Sequence, residues 1–317
     1  MIEVVTKNNE ILRVDSIDGL MKDAHDFNFM HFIDYKPNEL KWITDEFGID
    51  FEIMNHYKDI EISSHFLEDD TQAALHISLP FYNSGMKFTE EPIFFVLSEK
   101  TVFMFTSSES DKFFGKNYKN KSTIIKNLSD PCLIFKALIE FISDLYADIT
   151  ENITKKIKIL ANRILIEKQY LNSDTDVTTG LKFNNLLLKE SLMETRRVFS
   201  MYKKSRMERI YKIKETVETE LSDLNVVSEH IQFNFDRLDD LKENISNKIE
   251  IEQNHIFKIL TITTMSISVP TLVAAIYGMN FENMPELKAV YGYPIVIVVM
   301  LISILCPLIF FKVKKWF

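Results

Sequence analysis

The stretch Ala274–Leu287, AAIYGMNFENMPEL, closes one apolar run, precedes another, and sets Gly278, Met279 and Asn280 in succession at the end of an apolar helix. A loop that only reverses the chain has no need of that order. Upstream, at 100° per residue, Asn254, Phe257, Leu260, Thr261, Thr264, Ser268, Thr271, Ala275 and Gly278 fall within about a third of the helix circumference. Hydroxyl and amide oxygens along one face of an apolar helix can line a pore. They can also bond back to their own backbone or hold helices together. The arc ends at the glycine of the loop, and Glu282 and Glu286 follow within the loop.

Other chemistries lack their residues. Cys132 and Cys306 lie far apart, and the seven histidines are scattered, without H-E-x-x-H or any Cys/His spacing of metal-ligand type. G-x-x-x-x-G-K, G-x-G-x-x-G and G-x-S-x-G are absent, which argues against ATP-driven transport and the common hydrolases and for a protein that is not an enzyme. No organic cofactor is implied.

The elements that must position the loop are two hydrophobic runs. Residues 256–277 hold one charge, Lys258, and residues 294–311 hold none. At about 1.5 Å rise per residue the first is long enough to cross about 30 Å of hydrocarbon, the second is near the lower limit of about 17 residues for a span, and soluble core helices are seldom apolar all round for such lengths. Two crossings place both termini on one side. Lys312, Lys314 and Lys315 follow the second run, whereas the loop holds two glutamates and Lys288. The positive-inside bias therefore sets both termini in the cytosol. The opening MIEVVTKNNE has no apolar core of a signal peptide, so a cytosolic N-terminal region at a cell membrane is expected.

The formal charge is −9, and residues 256–317 carry five lysines against two glutamates, which leaves −12 on residues 1–255. So acidic a surface argues against nucleic acid. It suits either a domain that meets cations or one kept soluble by charge.

The expected architecture is an α+β cytosolic body joined to a two-helix transmembrane hairpin. Residues 1–130 alternate β-rich runs (FNFMHFIDY, AALHISLPF, PIFFVLSE, TVFMFTS) with a helical NELKWITDEFG, a mixed α/β pattern. Residues 131–255 turn helical, with a second helical stretch after Gly180, and lack glycine and proline from there to Pro270, which predicts one very long helix. The first span (256–277), the loop (278–293), the second span (294–311) and a basic tail (312–317) follow. Ile210, Val217, Leu224, Ile231, Leu238 and Ile245 recur every seven residues, a seam that must be buried against helices of the same chain or of neighbours. A stiff helix continuing into the span can carry movement.

The YGMN of Tyr277–Asn280, with MPEL at Met284–Leu287, in a short loop between two spans of a chain ending in KKWF, resembles the CorA family of divalent-cation channels. FIDYKPNELKWITDEFGID is similar to that family's early segment, and the likeness of organisation extends over essentially the whole chain.

The resemblance implies a funnel-shaped homopentamer with the first spans around one axis and Gly278, Met279 and Asn280 ringing the outer mouth as the selectivity filter. Mg²⁺ parts with water reluctantly, so a ring of neutral oxygens can grip the hydrated ion through its waters. Asn280 would offer its amide oxygen, and Gly278 its carbonyl, at a position where an unusual backbone angle is expected. The implied pore lining is Asn254, Phe257, Leu260, Thr264, Ser268 and Thr271, with Leu260 and Phe257 as an apolar constriction. Ser268 departs from the bulky apolar residue common in the family. Glu282 and Glu286 would concentrate cations at the mouth. Closure by cytosolic Mg²⁺ at acidic sites between neighbouring subunits is implied, with Glu220 and Asp223 as candidates. Co²⁺ and Ni²⁺ are possible further cargo. A Zn²⁺ or Co²⁺ transporter of the same fold, or a membrane-anchored coiled-coil module, are the alternatives.

Overall fold

The computed structural model describes residues 1–8, 10–20, 27–51, 65–82, 88–111, 130–169, 171, 173–280 and 284–314. The chain forms two compact units, Met1–Leu241 and Lys242–Phe317.

In the first unit, β1 (Ile2–Thr6), β2 (Ile11–Val14), β3 (Phe27–Ile33), β4 (His65–Glu68), β5 (Gln72–Tyr82), β6 (Phe88–Ser98) and β7 (Val102–Thr106) form a sheet of order β2-β1-β3-β7-β6-β5-β4. Among the described residues only β3 and β7 pair in parallel, with Phe29 opposite Val102 and Ile33 opposite Thr106. The four β-rich runs of the sequence are β3, β5, β6 and β7, and NELKWITDEFG is helix α1 (Pro37–Phe47). Proline at the first helical position suits a helix start, and the carboxylate of Glu39 accepts the Lys36 N–H at 2.8 Å. Gly48, at φ +67, ends α1 in the left-handed region, which glycine enters without strain.

Alternation along the strands feeds two cores. Val4, Met30, Phe32, Phe103 and Phe105 pack with Ile43 and Trp42 of α1. On the other face Phe95 meets Phe135, which meets Tyr202. These last two belong to helices α2 (Pro131–Ala161) and α3 (Asp174–Tyr202). Tyr146 of α2 is fully buried and shares its hydroxyl with Ser191 (2.5 Å) and Thr195 (2.7 Å) of α3, while Ser191 also donates to the Ser78 carbonyl of β5. A buried hydroxyl must be paired in this way to avoid a desolvation cost.

The long glycine- and proline-free stretch is not one helix. Chain reversal after Tyr202 produces a short α4 (Arg206–Tyr211), and only then does α5 run for 64 residues from Lys214 to Tyr277. The break needs neither glycine nor proline. The Ser205 hydroxyl accepts the Glu208 N–H at 3.0 Å, and Lys212 takes a left-handed φ of 55. Gly180 lies inside α3 rather than before it.

Contacts along residues 214–241 fix the helix directions. Lys203 meets Glu218 (3.0 Å), Asn185 donates to the Ile231 carbonyl (2.9 Å) and Lys182 meets Asp239 (2.5 Å), so α3 runs antiparallel to this part of α5. Thr154 pairs with Asn234 (3.1 Å) and Ser143 with Glu220, so α2 runs parallel to it. Val217, Leu224, Ile231 and Leu238 are fully buried. Over these residues the heptad seam is therefore used up inside the chain itself. Ile210 lies outside it, half-buried in α4.

The second unit holds the rest of α5, a 3-10 turn (Pro285–Lys288) and helix α6 (Gly292–Val313). Both helices are long and apolar enough to cross a membrane, and only 11% and 6% of their most apolar windows is buried, unlike the core helices of a soluble protein.

Candidate functional site

Two stripes divide the apolar end of α5. Ile262 and Ser266 are buried and Pro270, Val273 and Tyr277 half-buried, at spacings of four, four, three and four. On α6, Gly292, Val296, Met300, Ser303, Pro307 and Phe311 follow the same rhythm, the others being exposed between them. These stripes match in an antiparallel hairpin, with ridges of side chains three and four apart meeting. Near the hairpin's turn, Ala274, Tyr277, Val296 and Met300 wall a cavity of about 530 Å³.

Asn254, Phe257, Leu260, Thr261, Thr264, Ser268, Thr271, Ala275 and Gly278 are all exposed. Their arc is centred about 170° from the packed stripe, so the polar face looks away from α6. Its hydroxyls do bond back to the helix: Thr261 to Phe257 O (2.8 Å), Thr264 to Leu260 O (2.8 Å), Ser268 to Thr264 O (2.7 Å) and Thr271 to Ile267 O (2.7 Å). Each spends its single proton internally and keeps lone pairs free, so the face presents acceptor oxygens, which suits a cation or its waters. Ser266, on the packed side, has its hydroxyl oxygen buried without a hydrogen-bond partner. Pro270 brings no N–H to the Ser266 carbonyl.

At the end of α5 the Gly278 N–H reaches Ala274 O (2.9 Å) and the Met279 N–H reaches Ile276 O (3.2 Å), so the last turn tightens and the chain leaves the helix axis. Met279 and Asn280 are exposed at that point. Gly278 does not adopt the left-handed backbone expected for it; Gly48 is the glycine with positive φ among the described residues. Space constrains Gly278 instead, since a Cβ there would meet Ala274 O at 3.1 Å. Glu282 lies outside the described residues, and Glu286 lies in the Pro285–Lys288 turn.

The regulatory candidates lie on the 214–241 part of α5. Glu220 is half-buried and Asp223 exposed. Burial pushes the Glu220 carboxyl above the usual range; the Ser143 hydrogen bond opposes this, and the negative charges of Asp223, Glu140 and Asp144 add to it. Among the described residues no group of three or more His, Cys, Asp or Glu side chains is placed to hold a metal within one chain. Glu220 and Asp223 therefore form at most part of a ligand set.

Two features escaped the sequence reading. The packed stripe of α5 was legible as a 4-4-3-4 spacing but hidden by Ser266, a polar residue at an apolar position. The second is a carboxylate group at Glu90. Burial, then the charges of Glu194 and Glu190 on α3, push the Glu90 carboxyl up to about 7, and its Oε1 is buried without a hydrogen-bond partner. Strand β6 and helix α3 are remote in sequence, so no spacing announces the group. His31, by contrast, is structural: it bonds Thr106 Oγ1 at 2.7 Å, and burial holds it down at about 4.

The chain as a whole is similar to known proteins. The profile of the family described as CorA-like Mg²⁺ transporter protein matches residues 24–315. The chain is 32% identical over 290 residues, 88% of each chain, to the magnesium transport protein CorA of Campylobacter jejuni (strain RM1221). It is 28% identical over 282 residues, 86% of this chain and 87% of the other, to that of Escherichia coli (strain K12). In fold it is similar to the complete CorA magnesium transporter of Methanocaldococcus jannaschii, with a TM-score of 0.77 at 19% identity over 100% of this chain and 98% of that one. By the extent of these matches, the chain belongs to the family of CorA-like Mg²⁺ transporter proteins.

Proposed function

We propose that the protein is a Mg²⁺ channel of the cell membrane, a homopentamer in which five α5 helices surround one pathway and five α6 helices lie outside them, with both termini in the cytosol. The observation that carries this reading is the orientation of the two stripes on α5. The face rich in oxygen acceptors is left exposed by the chain's own hairpin, while the opposite face is taken up by α6. The hydroxyl protons of this face are spent on the helix backbone, and the outward lone pairs of their oxygens suit a water-filled axis.

In this reading Gly278, Met279 and Asn280 ring the outer mouth. Amide and carbonyl oxygens accept hydrogen bonds from the waters of a hydrated Mg²⁺, so the ion is selected without being stripped. Neutral oxygens hold it weakly enough to release it. Thr271, Ser268 and Thr264 pass it inward by their free lone pairs, and Leu260 and Phe257 form a constriction that closes when it loses water. Asn254 receives the ion at the inner end. Glu282 and Glu286 raise the cation concentration at the mouth. An inside-negative potential of 100 mV contributes about 2.3 kcal/mol per charge, hence about twice that for a divalent ion, so no chemical energy source or organic cofactor is required. Glu220 and Asp223, completed by ligands of a neighbouring copy, sense cytosolic Mg²⁺.

Purified protein in liposomes, with a Mg²⁺-sensitive dye inside and an imposed inside-negative potential, tests the reading. Uptake that scales with the potential and is competed by Co²⁺ or Ni²⁺ is expected. Zn²⁺ uptake in preference to Mg²⁺ reassigns the cargo, and no flux of either ion overturns the channel.

A further inference from the structure

Along α3 and the residue that follows it, Lys182, Lys189, Arg196 and Lys203 recur every seven positions. Because α3 runs antiparallel to residues 214–241 of α5, positions 239, 232, 225 and 218 of α5 stand opposite them. Three of these rungs are closed. Lys182 meets Asp239 (2.5 Å), Lys189 donates to the side-chain carbonyl of Gln232 (3.1 Å) with its ammonium 5.4 Å from the centre of the Phe235 ring, and Lys203 meets Glu218 (3.0 Å). At the remaining rung Arg196 shares a cavity with Asn225, an amide that carries no charge. Neither Arg196 nor its neighbour Arg197 has a hydrogen-bond or ion-pair partner among the described residues.

The cavity, about 430 Å³, lies between the two helices and is walled by Met193, Arg196, Arg197, Ser200, Leu221 and Asn225. No carboxylate lines it. At 100° per residue Asp223 points about 180° from the shared direction of Leu221 and Asn225. Glu220 is bonded to Ser143 of α2, and Glu218 is held by Lys203. What remains is a set of donors: two guanidinium forks, a hydroxyl and a side-chain amide. Two adjacent positive charges left without a counter-charge, in a region that is otherwise strongly acidic, mark a place for an anion. Guanidinium forks match the paired oxygens of a phosphoryl group. The volume falls in the range of about 300–1,000 Å³ typical of small-molecule sites, and Met193 and Leu221 add an apolar wall beside the donors.

We propose that the cleft between α3 and α5 binds a phosphoryl-bearing anion, with its phosphoryl oxygens on Arg196 and Arg197 and further hydrogen bonds from Ser200 and Asn225. Met193 and Leu221 give an organic phosphate a wall that inorganic phosphate does not use. The ligand bridges α3 and α5, whichever ion the protein carries.

The test is isothermal titration calorimetry of the full chain in detergent micelles with ADP, inorganic phosphate and adenosine, in EDTA so that no divalent ion bridges ligand and protein. ADP is expected to bind and adenosine is not. Inorganic phosphate binding as tightly as ADP assigns the site to the free ion, and ADP binding more tightly assigns it to an organic phosphate; either result supports the phosphoryl site. Asn225→Asp supplies the carboxylate that the fourth rung lacks. It should leave Tm at or above the parent's and weaken ADP at least about tenfold, because Arg196 is then paired within the chain. Arg196→Gln with Arg197→Gln should weaken ADP as much, and decides the matter if Asn225→Asp does not fold. Failure of both phosphates to bind, adenosine binding as tightly as ADP, or ADP binding unchanged in the variants overturns the proposal. So does loss of the parent's oligomer in size-exclusion chromatography of ligand-free variants, which assigns the arginines to carboxylates of a second copy.

Discussion

Ser266 and Ser268 are two residues apart and face opposite sides of α5: the Ser266 hydroxyl is buried with no partner, and the exposed Ser268 hydroxyl donates to Thr264 O at 2.7 Å. If Ser268 faces the ion pathway, a positively charged thiol reagent should modify Ser268→Cys in the absence of native cysteines and block Mg²⁺ uptake, while Ser266→Cys stays unmodified. Equal modification of both would remove the pathway from this face.

Asn280→Ala deletes the amide oxygens proposed to ring the mouth and touches neither packed stripe. A hydrogen bond is worth about 1 kcal/mol net, and in the proposed pentamer five copies would act on one ion, so uptake in liposomes should fall by more than about tenfold. Size-exclusion chromatography should still give the parent's oligomer. Parent-like uptake would refute the filter assignment.

Substitutions at Gly278 should follow size rather than backbone angle. An alanine Cβ at 3.1 Å from Ala274 O requires the turn to yield by a few tenths of an ångström, and Gly278→Ala should retain reduced uptake. Gly278→Val adds two methyl groups at the same place and should abolish it. Ala and Val behaving alike would mean that the constraint lies elsewhere.

Glu220→Gln with Asp223→Asn should shift the inhibitory midpoint for cytosolic Mg²⁺ to higher concentration in excised patches, since a ligand shifts an equilibrium only through its differential affinity for the two states. The repulsion among Glu220, Asp223, Glu140 and Asp144 is relieved in the same variant, so its thermal stability without Mg²⁺ should not fall. An unchanged midpoint rejects this pair as the sensor and leaves the filter standing.

Glu90 makes stability depend on pH in a stated direction. Its folded-state carboxyl titrates at about 7, above the ordinary 4.5, so between these values the folded chain holds a proton that the unfolded chain has lost. Stability therefore falls as pH rises through that window. Glu90→Gln should raise Tm at pH 8 by about 2–4 °C, corresponding to about 1 kcal/mol once solvent screening of this half-buried group is allowed for, and the gain should vanish near pH 5. A gain that is independent of pH would mean that packing, not charge, is responsible.

How far the sequence could be read depends on whether the signal is local. Val217, Leu224, Ile231 and Leu238 announced a buried seam by spacing alone, but whether the partner was the same chain or another required the Asn185–Ile231 and Thr154–Asn234 pairings to be seen. The alternation in β3, β5, β6 and β7 was legible because these strands are apolar and β-branched or aromatic; β1, in MIEVVTKNNE, passed unread although Ile2 and Val4 are fully buried. The break before α5 had a signal that went unused. Ser205 and Glu208 stand in the S-x-x-E spacing that marks a helix start, and reliance on glycine and proline as the only breakers concealed it. Glu140 and Asp144 beside Glu220 were not legible at all, because they come from a helix about eighty positions upstream that is brought alongside by parallel packing.

Pro270 sits between Ser268 and Thr271, in the middle of the proposed pathway. A helix resists bending because each rung of its hydrogen-bond ladder must stretch on the convex side, and here one rung is missing from the start. The halves of the span above and below Pro270 can tilt against each other without breaking a bond at that level, and a tilt swings Thr271 and Gly278 relative to Thr264 and Leu260. In the proposed channel this would put a hinge in the covalent structure of one residue, on the packed side of the helix rather than on its exposed polar side.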